Sequence, residues 1–400
     1  MSPALPVGPG CPLCSSTSAE CFYVLEQVPV TCTSIFDTAE EALAVPGGDI
    51  ELCVCDECGF IFNRAFDQAL GRIGAQYESS QAASAHFSEF AQSLAGQWVS
   101  RHGLEGGRVL EVGCGSGDFL KRMLDAGVHA AAGIDPLASP ISSDYSNRVR
   151  LIAEEFHAAH FALAADALVC RHTLEHISDV AEFVKLLRQW AEGNPQSAIL
   201  IEVPDAERVL AERAFWDVYY EHCNYFTAAT LRLALELSGL EVTRLERVYA
   251  NQYLIAEARL RETAHIDRTS PSAGQAVAAC RAFASDVRAA IERGQAGLTR
   301  LAGSAAPVVL WQGAAKTVGL VTALPDAGVI KCAVDASPAR HGKFLPGSAL
   351  AVYAPDALRE LRPGHIVLMN PVYLAEVRAQ VCSLGLYTPV HSVNDLLRAG

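Results

Sequence analysis

Short apolar runs recur along this chain, each ending in a polar, glycine-rich or acidic turn. Runs at Arg108–Val112, Ala130–Ile134, Val149–Ile152, Ala167–Cys170 and Ala198–Val203 predict strands. Between them the spacing turns helical, for example over Val180–Gln189. A helical pattern carrying Phe87, Phe90, Leu94 and Trp98 precedes them. Strands alternating with helices predict an α/β fold, a parallel sheet covered on both faces. Its ligand belongs at the carboxyl ends of the strands. The pattern restarts near the C-terminus. A long helix from Ser270 to Leu301, entered through Pro271, leads to strands at Val308–Trp311, Ile330–Val334 and Ile366–Met369. The chain divides on this reading into a module over 1–70, a central domain over 71–262 and a second α/β domain over 263–400.

The first strand runs into Glu111-Val112-Gly113-Cys114-Gly115-Ser116-Gly117. Glycine lets the backbone turn tightly and lets a ligand lie against it. The spacing is G-x-G-x-G, which does not suit a nucleoside triphosphate. Asp135 closes the second strand, where an acid accepts hydrogen bonds from ribose hydroxyls. The pair predicts an adenosyl ligand, with Glu111, Gly113, Gly115, Gly117 and Asp135 around it. Glu154, after the third strand, can meet the adenosine, and Glu155 is an equally plain choice.

Composition adds limits. The 31 basic and 45 acidic side chains give a net charge of −14, which disfavours nucleic acid as a partner. No charge-free apolar stretch is long enough to span a membrane, and Met1–Gly10 has no basic region. The expected location is the cytoplasm. The sequence does not determine the oligomeric state.

Seven of the 13 cysteines fall in the first 58 residues. In a cytosolic protein this predicts metal binding plus scattered buried thiols rather than a disulfide framework. Cys11-Pro12-Leu13-Cys14 and Cys55-Asp56-Glu57-Cys58 are two C-x-x-C knuckles, which complete a four-thiolate structural zinc site. Cys53 is a less usual alternative to Cys55. A strand over Glu20–Leu25 and a loop ending near Ile50 lie between the knuckles.

Two further stretches carry chemistry. His172-Thr173-Leu174-Glu175-His176 matches H-x-x-E-H, a spacing seen in zinc proteases. Here it opens directly off a strand of a nucleotide-type sheet and is expected to line the cleft instead. Phe215 to Thr227 packs six aromatics, two acids and a histidine ahead of a helix that Thr227 can cap. Aromatic walls with a few polar groups build small-molecule sites. His222 can act there as a general base. A core aromatic cluster with a surface Glu221-His222 pair is the competing reading.

In this order the pieces resemble the three-part bacterial S-adenosylmethionine-dependent methyltransferases typified by sugar-nucleotide C-methyltransferases. The resemblance spans essentially the whole chain. It rests on the four-cysteine module, the glycine turn, Leu174-Glu175-His176-Ile177, Glu202-Val203-Pro204-Asp205, Tyr219-Tyr220-Glu221-His222 with Tyr225-Phe226, and the C-terminal domain. It implies a central Rossmann-like class I methyltransferase sheet, an N-terminal zinc module and a C-terminal Rossmann-like domain. It implies S-adenosyl-L-methionine as methyl donor and a keto-sugar nucleotide as acceptor, methylated through an enolate. His222 matches the base, Glu221 and Tyr219 the substrate-contacting acid and tyrosine, Tyr77 a tyrosine near the substrate, and His176 a histidine supporting the oxyanion. The family often has histidine where Tyr220 stands. That departure implies an altered cleft contact and leaves O- or N-methylation of another metabolite open. The first C-terminal loop keeps only Gly313, with Lys316 as a candidate phosphate partner, so that domain either binds a nucleotide or simply buttresses the cleft. A non-catalytic adenosyl-binding scaffold is the reading from another class.

Overall fold

The computed structural model describes residues 10–71, 77–78, 80–138, 144–261, 272–303 and 306–398. Near the N-terminus three antiparallel strands, β1 (Ala19–Pro29), β2 (Gly47–Cys55) and β3 (Ile61–Asn63), form a small sheet. The expected loop up to Ile50 instead contains a short helix, Ala39–Leu43, and the start of β2. Thr38 caps that helix, and Glu41 returns the bond in a capping box. Cys21 and Cys53 face each other across β1 and β2 and are joined as a disulfide. Antiparallel register sets the two side chains directly opposite, and the other cysteines are free, so one cross-strand pair stands beside the expected metal ligands and buried thiols.

The central sheet holds the five expected parallel strands: β4 (Arg108–Val112), β5 (Ala130–Ile134), β6 (Val149–Ile152), β7 (Ala167–Arg171) and β8 (Ala198–Pro204). Their side chains alternate between two buried faces. Leu110, Leu168 and Ile201 pack toward the helix Val180–Gly193, with its Val184, Leu187 and Trp190. Val109, Val169 and Leu200 pack toward Trp98, Leu120 and Met123 on the helices Ala85–His102 and Asp118–Asp125.

Three more strands follow: β9 (Asn224–Tyr225), β10 (Leu240–Val248) and β11 (Tyr253–Leu260). The seven-stranded order is β10-β11-β8-β7-β4-β5-β6, with β11 antiparallel to both neighbours. The sheet is therefore mixed, not wholly parallel. Strand β9 leaves it and pairs with β3 (Ile61 opposite Tyr225, Phe62 opposite Asn224). The N-terminal sheet thus reaches into the segment that follows Glu221 and His222.

The C-terminal sheet is parallel, in the order β14-β13-β12-β15-β16, from β12 (Val308–Trp311), β13 (Ile330–Val334), β14 (Val352–Tyr353), β15 (His365–Leu368) and β16 (Val390–Ser392). The helix Ala273–Ala302 precedes it. Pro271 and the boundary at 262–263 lie outside the described residues. Phe283 of this helix meets Tyr23 of β1 edge to face at 5.4 Å. Gln252, after the β10–β11 turn, exchanges two amide hydrogen bonds of 2.8 and 3.0 Å with buried Asn370 past β15. No described helix is long and apolar enough to cross a membrane.

Candidate active site

A cavity of about 1020 Å³ opens at the carboxyl ends of the central strands. Residues from all three parts of the chain line it. Glu111, Gly113, Gly115, Asp135 and Glu154 stand on its wall, as do Tyr77, His176, Tyr219, Glu221 and His222.

The glycine turn is built by two different constraints. Gly113 has φ +75°, and a Cβ there would stand 1.9 Å from Thr173 Oγ1, so packing excludes any larger residue. Gly115 has φ +51°, and a Cβ would meet open space, which is where a ligand can lie against the backbone. Its N–H donates to Asp135 Oδ2 at 2.9 Å, while Asp135 Oδ1 accepts the N–H of Leu137 at 2.8 Å. Gly117 is not part of the wall. With φ +73° it starts the helix Asp118–Asp125. Glu111 is 3 % exposed, and its Oε2 has no hydrogen-bond partner. Burial pushes its carboxyl up to about 8. The open space over Gly115 and the orphaned acid fit the polar, close-lying end of an adenosyl methyl donor.

Glu154 accepts from His157 and His160 at 3.3 and 3.1 Å. In both rings Nδ1 accepts a main-chain N–H, that of Ala159 in one and that of His157 in the other. The neutral rings therefore carry their protons on Nε2, facing the carboxylate. A metal-bound histidine would need the reverse arrangement.

On the other wall, Glu221 turns into the N-terminal module. Its carboxylate accepts from the N–H groups of Cys32 (2.8 Å) and Thr33 (3.2 Å), the Thr33 hydroxyl (2.7 Å) and the Thr31 hydroxyl. Burial alone would raise this carboxyl, but those donors and the nearby His176 hold it below its ordinary value. His176 Nδ1 meets the Glu221 main-chain oxygen at 2.9 Å. Its ring lies 4.9 Å from that of His222, and the Tyr219 ring lies 4.4 Å from His222. Burial first, then His176, depress His222 to about 3, so it stays neutral. Burial also raises Tyr77 and Tyr219 well above the usual phenol value.

Several expectations need correction. Tyr220 is not a cleft contact. It is 1 % exposed, lies against Phe66 and accepts the N–H of Asp67 at 2.8 Å. Phe215, Trp216 and Phe226 are buried core rather than cleft wall. Glu221 and His222 are buried too, not a surface pair. Lys316 lines the cavity but is spent on buried Asp217, which Arg208 also holds. Lys316 and Arg208 together outweigh burial and hold Asp217 at about 2.

Other residues escaped the sequence reading. Thr31 to Thr33 form the seat of the Glu221 carboxylate, and only the cysteine count had touched that segment. Arg171, the last residue of β7, and His172 of the H-x-x-E-H stretch were read, and what the sequence did not show is their pairing with buried Glu202. Glu202 and Glu175 outweigh burial and raise His172 to about 9. A charged pair ending an apolar strand was the available signal.

The four cysteines converge. Cys11 Sγ lies 3.7 Å from Cys58 Sγ, and Cys14 Sγ lies 3.6 Å from Cys55 Sγ. All four sulfurs lie within 4.8 Å of one another. Tetrahedral zinc with Zn–S bonds of ~2.3 Å needs sulfurs roughly 3.8 Å apart, so the set fits that ion. Cys53, the alternative ligand, is in the disulfide.

The C-terminal sheet repeats the acid device of the first. Gly313 N–H donates to Asp335 Oδ2 at 2.8 Å, and Ser337 N–H donates to Oδ1 at 2.8 Å. Arg340 fills the space beside this loop, donating to Gly313 O at 2.7 Å.

Residues 87–245 match a family described as methyltransferase domain, and 259–384 match one described as C-methyltransferase C-terminal domain. A ubiquinone biosynthesis O-methyltransferase from Aromatoleum aromaticum is 36% identical over 179 residues, 38% of this chain and 76% of the relative. One of the same name from Erwinia tasmaniensis is 35% identical over 95 residues, 20% of this chain and 37% of that relative. A solved Burkholderia thailandensis 1,6-didemethyltoxoflavin-N1-methyltransferase is 16% identical, covers 45% of this chain and 83% of its own, and superposes with a TM-score of 0.35. With a glycine turn and strand-end acid placed on one cavity wall, and with a relative matched over three-quarters of its length, the chain belongs to the S-adenosylmethionine-dependent class I methyltransferases.

Proposed function

We propose that this methyltransferase C-methylates a keto-sugar nucleotide. The observation that carries the reading is the pair of imidazoles at 4.9 Å on the cavity wall, one of them the neutral His222. The match of 259–384 to a C-methyltransferase C-terminal domain supports it. Bound S-adenosylmethionine supplies a methyl on a positively charged sulfur, which leaves as a neutral thioether. His222 removes the proton beside the acceptor's carbonyl. That C–H bond breaks, a C–CH3 bond forms, and the proton passes from His222 to solvent. His222 is a weak base, so the reaction leans on stabilising the enolate oxygen. His176 does this once its Nε2 is protonated, because its Nδ1 proton is committed to the Glu221 carbonyl. Tyr219 contacts the acceptor's hydroxyls and Tyr77 closes the wall beside it, while Glu221, its carboxylate taken up by the Thr31–Thr33 donors, is a positioning residue for His176 and His222. Asp135 and Glu154 hold the ribose and adenine of the donor. Cys11, Cys14, Cys55 and Cys58 hold a structural zinc, which anchors the Thr31–Thr33 seat of Glu221. In this scheme 1–70, 71–262 and 263–400 act as anchor, donor domain and acceptor-side domain.

A second reading, O-methylation, is favoured by the names of two of the curated relatives. The experiment that separates the two is mass spectrometry of candidate keto-sugar nucleotides and phenolic acceptors with a labelled methyl donor. Solvent deuterium exchange beside the carbonyl is followed in parallel. C-methylation requires exchange that His222→Ala abolishes. A labelled ether product without exchange overturns it.

A further inference from the structure

A row of alternating charges leads to the base. Arg171 ends β7 and pairs with Glu202 of β8. The next residue, His172, sets its Nε2 3.3 Å from Glu202 Oε1 and its Nδ1 3.6 Å from Glu175 Oε1. His172 has φ +48°, a left-handed backbone that residues with a Cβ avoid, and its N–H donates to the Glu202 main-chain oxygen at 2.8 Å. That turn brings the ring between the two carboxylates. One Glu175 oxygen, one His176 nitrogen and one His222 nitrogen then lie within 4.8 Å of one another. Glu175 lines the cavity, is 1 % exposed, and its Oε2 has no hydrogen-bond partner. Two other carboxylates act on His222, those of Glu221 and Asp217. Both are already taken, Glu221 by the Thr31–Thr33 donors and Asp217 by Lys316 and Arg208. Of the three acids, Glu175 is the one that keeps an oxygen without a partner.

We propose that Glu175 is a positioning residue for His222: it stays ionised at the end of this row and stabilises the imidazolium that forms when His222 takes the acceptor's proton. The inference rests on the C-methylation reading and adds a residue to it. As the C–H bond breaks, its electron pair moves into the enolate and its proton to a His222 nitrogen. Glu175 takes no proton. The enolate carbon then takes the methyl, and the donor sulfur leaves as a neutral thioether. Before the transfer the row carries a positive charge at Arg171, a negative one at Glu202, a positive one at His172 and a negative one at Glu175. A positive charge on His222 continues the alternation. Beside a neutral residue at 175, the same charge would stand in a buried wall of low dielectric with no free anion opposite it. Burial alone would raise the Glu175 carboxyl, but His172 and His176 hold it below its ordinary value, so it is an anion when the acceptor arrives.

The test uses the full chain and the keto-sugar nucleotide that accepts labelled methyl in the screen above. Exchange of the proton beside its carbonyl is read in deuterium oxide with S-adenosylhomocysteine bound, and methyl transfer is read in single turnovers. Glu175→Gln should slow both about 10–100-fold, since an opposite charge ~4–6 Å away shifts proton affinity by roughly one to three units. It should leave S-adenosylhomocysteine affinity and the acceptor KM within a few-fold. Glu175→Asp keeps the charge and changes the shape, so it should retain more of both rates than Glu175→Gln, which keeps the shape. A merely structural role predicts the opposite order. If Glu175→Gln fails to fold because His172 loses its anion, Glu175→Gln with His172→Gln removes both charges and serves with the same expectation. Unchanged exchange in the glutamine variant, an aspartate variant no faster than the glutamine one, or a loss confined to KM and donor affinity overturns the proposal. So does a second divalent metal per chain that Glu175→Gln releases, because the carboxylate would then be a ligand. A wild type that shows no exchange with any keto-sugar nucleotide of the screen overturns the C-methylation reading itself, a result distinct from all of these.

Discussion

His176 Nδ1 lies 2.9 Å from the main-chain oxygen of Glu221. A carbonyl oxygen only accepts, so this ring nitrogen carries a proton, and in the neutral ring Nε2 does not. The bond therefore sets the tautomer of His176 and ties its ring to the Glu221 main chain. His176→Asn keeps a donor near Nδ1 but loses Nε2, while His176→Ala loses both. Both should lower single-turnover methyl transfer by ~10²–10³. Only the alanine variant should also lower the melting temperature. Equal stability of the two variants would show that the carbonyl bond does not hold the site.

The Glu221 carboxylate depends on an N-terminal module whose own strand β3 pairs with β9 just beyond it. Metal analysis should return roughly one zinc per chain. Cys55→Ser should lose that zinc, release Thr31–Thr33 and abolish turnover. It should keep S-adenosylhomocysteine binding within a few-fold, since the glycine turn belongs to the central sheet. Zinc-free chain with full turnover would remove the module from the site.

Lys316 tests the correction at the C-terminal loop. If its role is to neutralise buried Asp217, Lys316→Met should cost on the order of 3 kcal/mol in urea unfolding. Arg208 remains to pair Asp217, so the protein should still fold. A variant of unchanged stability with a much raised KM for a nucleotide acceptor would instead restore the phosphate role.

The parts of this fold that could be read ahead were those whose burial pattern is local. Strands β4 to β8 are apolar runs ended by chemistry-bearing turns, and their bounds differ little from the sequence reading. The β10–β11 hairpin was missed although its residues alternate. Its turn passes through Tyr249, Ala250 and Asn251 at φ 52°, 52° and 61°, with no glycine or proline to announce it. Contact with Asn370 and packing against Phe87 and Phe90 hold that turn, and neither is visible along the chain. The site was legible in the same uneven way. Gly115, Asp135, His176, Glu221 and His222 do share one cavity. The Thr31–Thr33 seat was hidden because it comes from another module, with Thr31 lying 190 residues before Glu221. The orientation of Tyr220 was hidden because its ring is claimed by Phe66 and Asp67.

Buried ionisable groups also set the shape of the stability curve. His222 falls from its ordinary value near 6.5 to about 3 in the fold. Between those values the unfolded chain binds more protons, so stability rises with pH and is lost as pH falls. Glu111 is raised to about 8 and His172 to about 9. For each, the folded chain binds more protons above the unfolded value, so stability is lost as pH rises, from about 4.5 to 8 for Glu111 and from about 6.5 to 9 for His172. Between pH 4.5 and 6.5 His222 and Glu111 oppose each other. Above 6.5 Glu111 and His172 act together. Each whole proton contributes a slope of about 1.4 kcal/mol per pH unit. Urea unfolding should therefore show a decline from pH 6.5 to 9 as well as one below 4.5. Glu111→Gln should shallow the decline between pH 6.5 and 8 and expose the His222 fall between 6.5 and 4.5, while His222→Gln should shallow the acid limb, of which buried Asp217 keeps a part. An alkaline limb unchanged in Glu111→Gln would mean that the Glu111 carboxyl is already ionised in the empty site, and that Arg171, not the aqueous buffer, holds its charge.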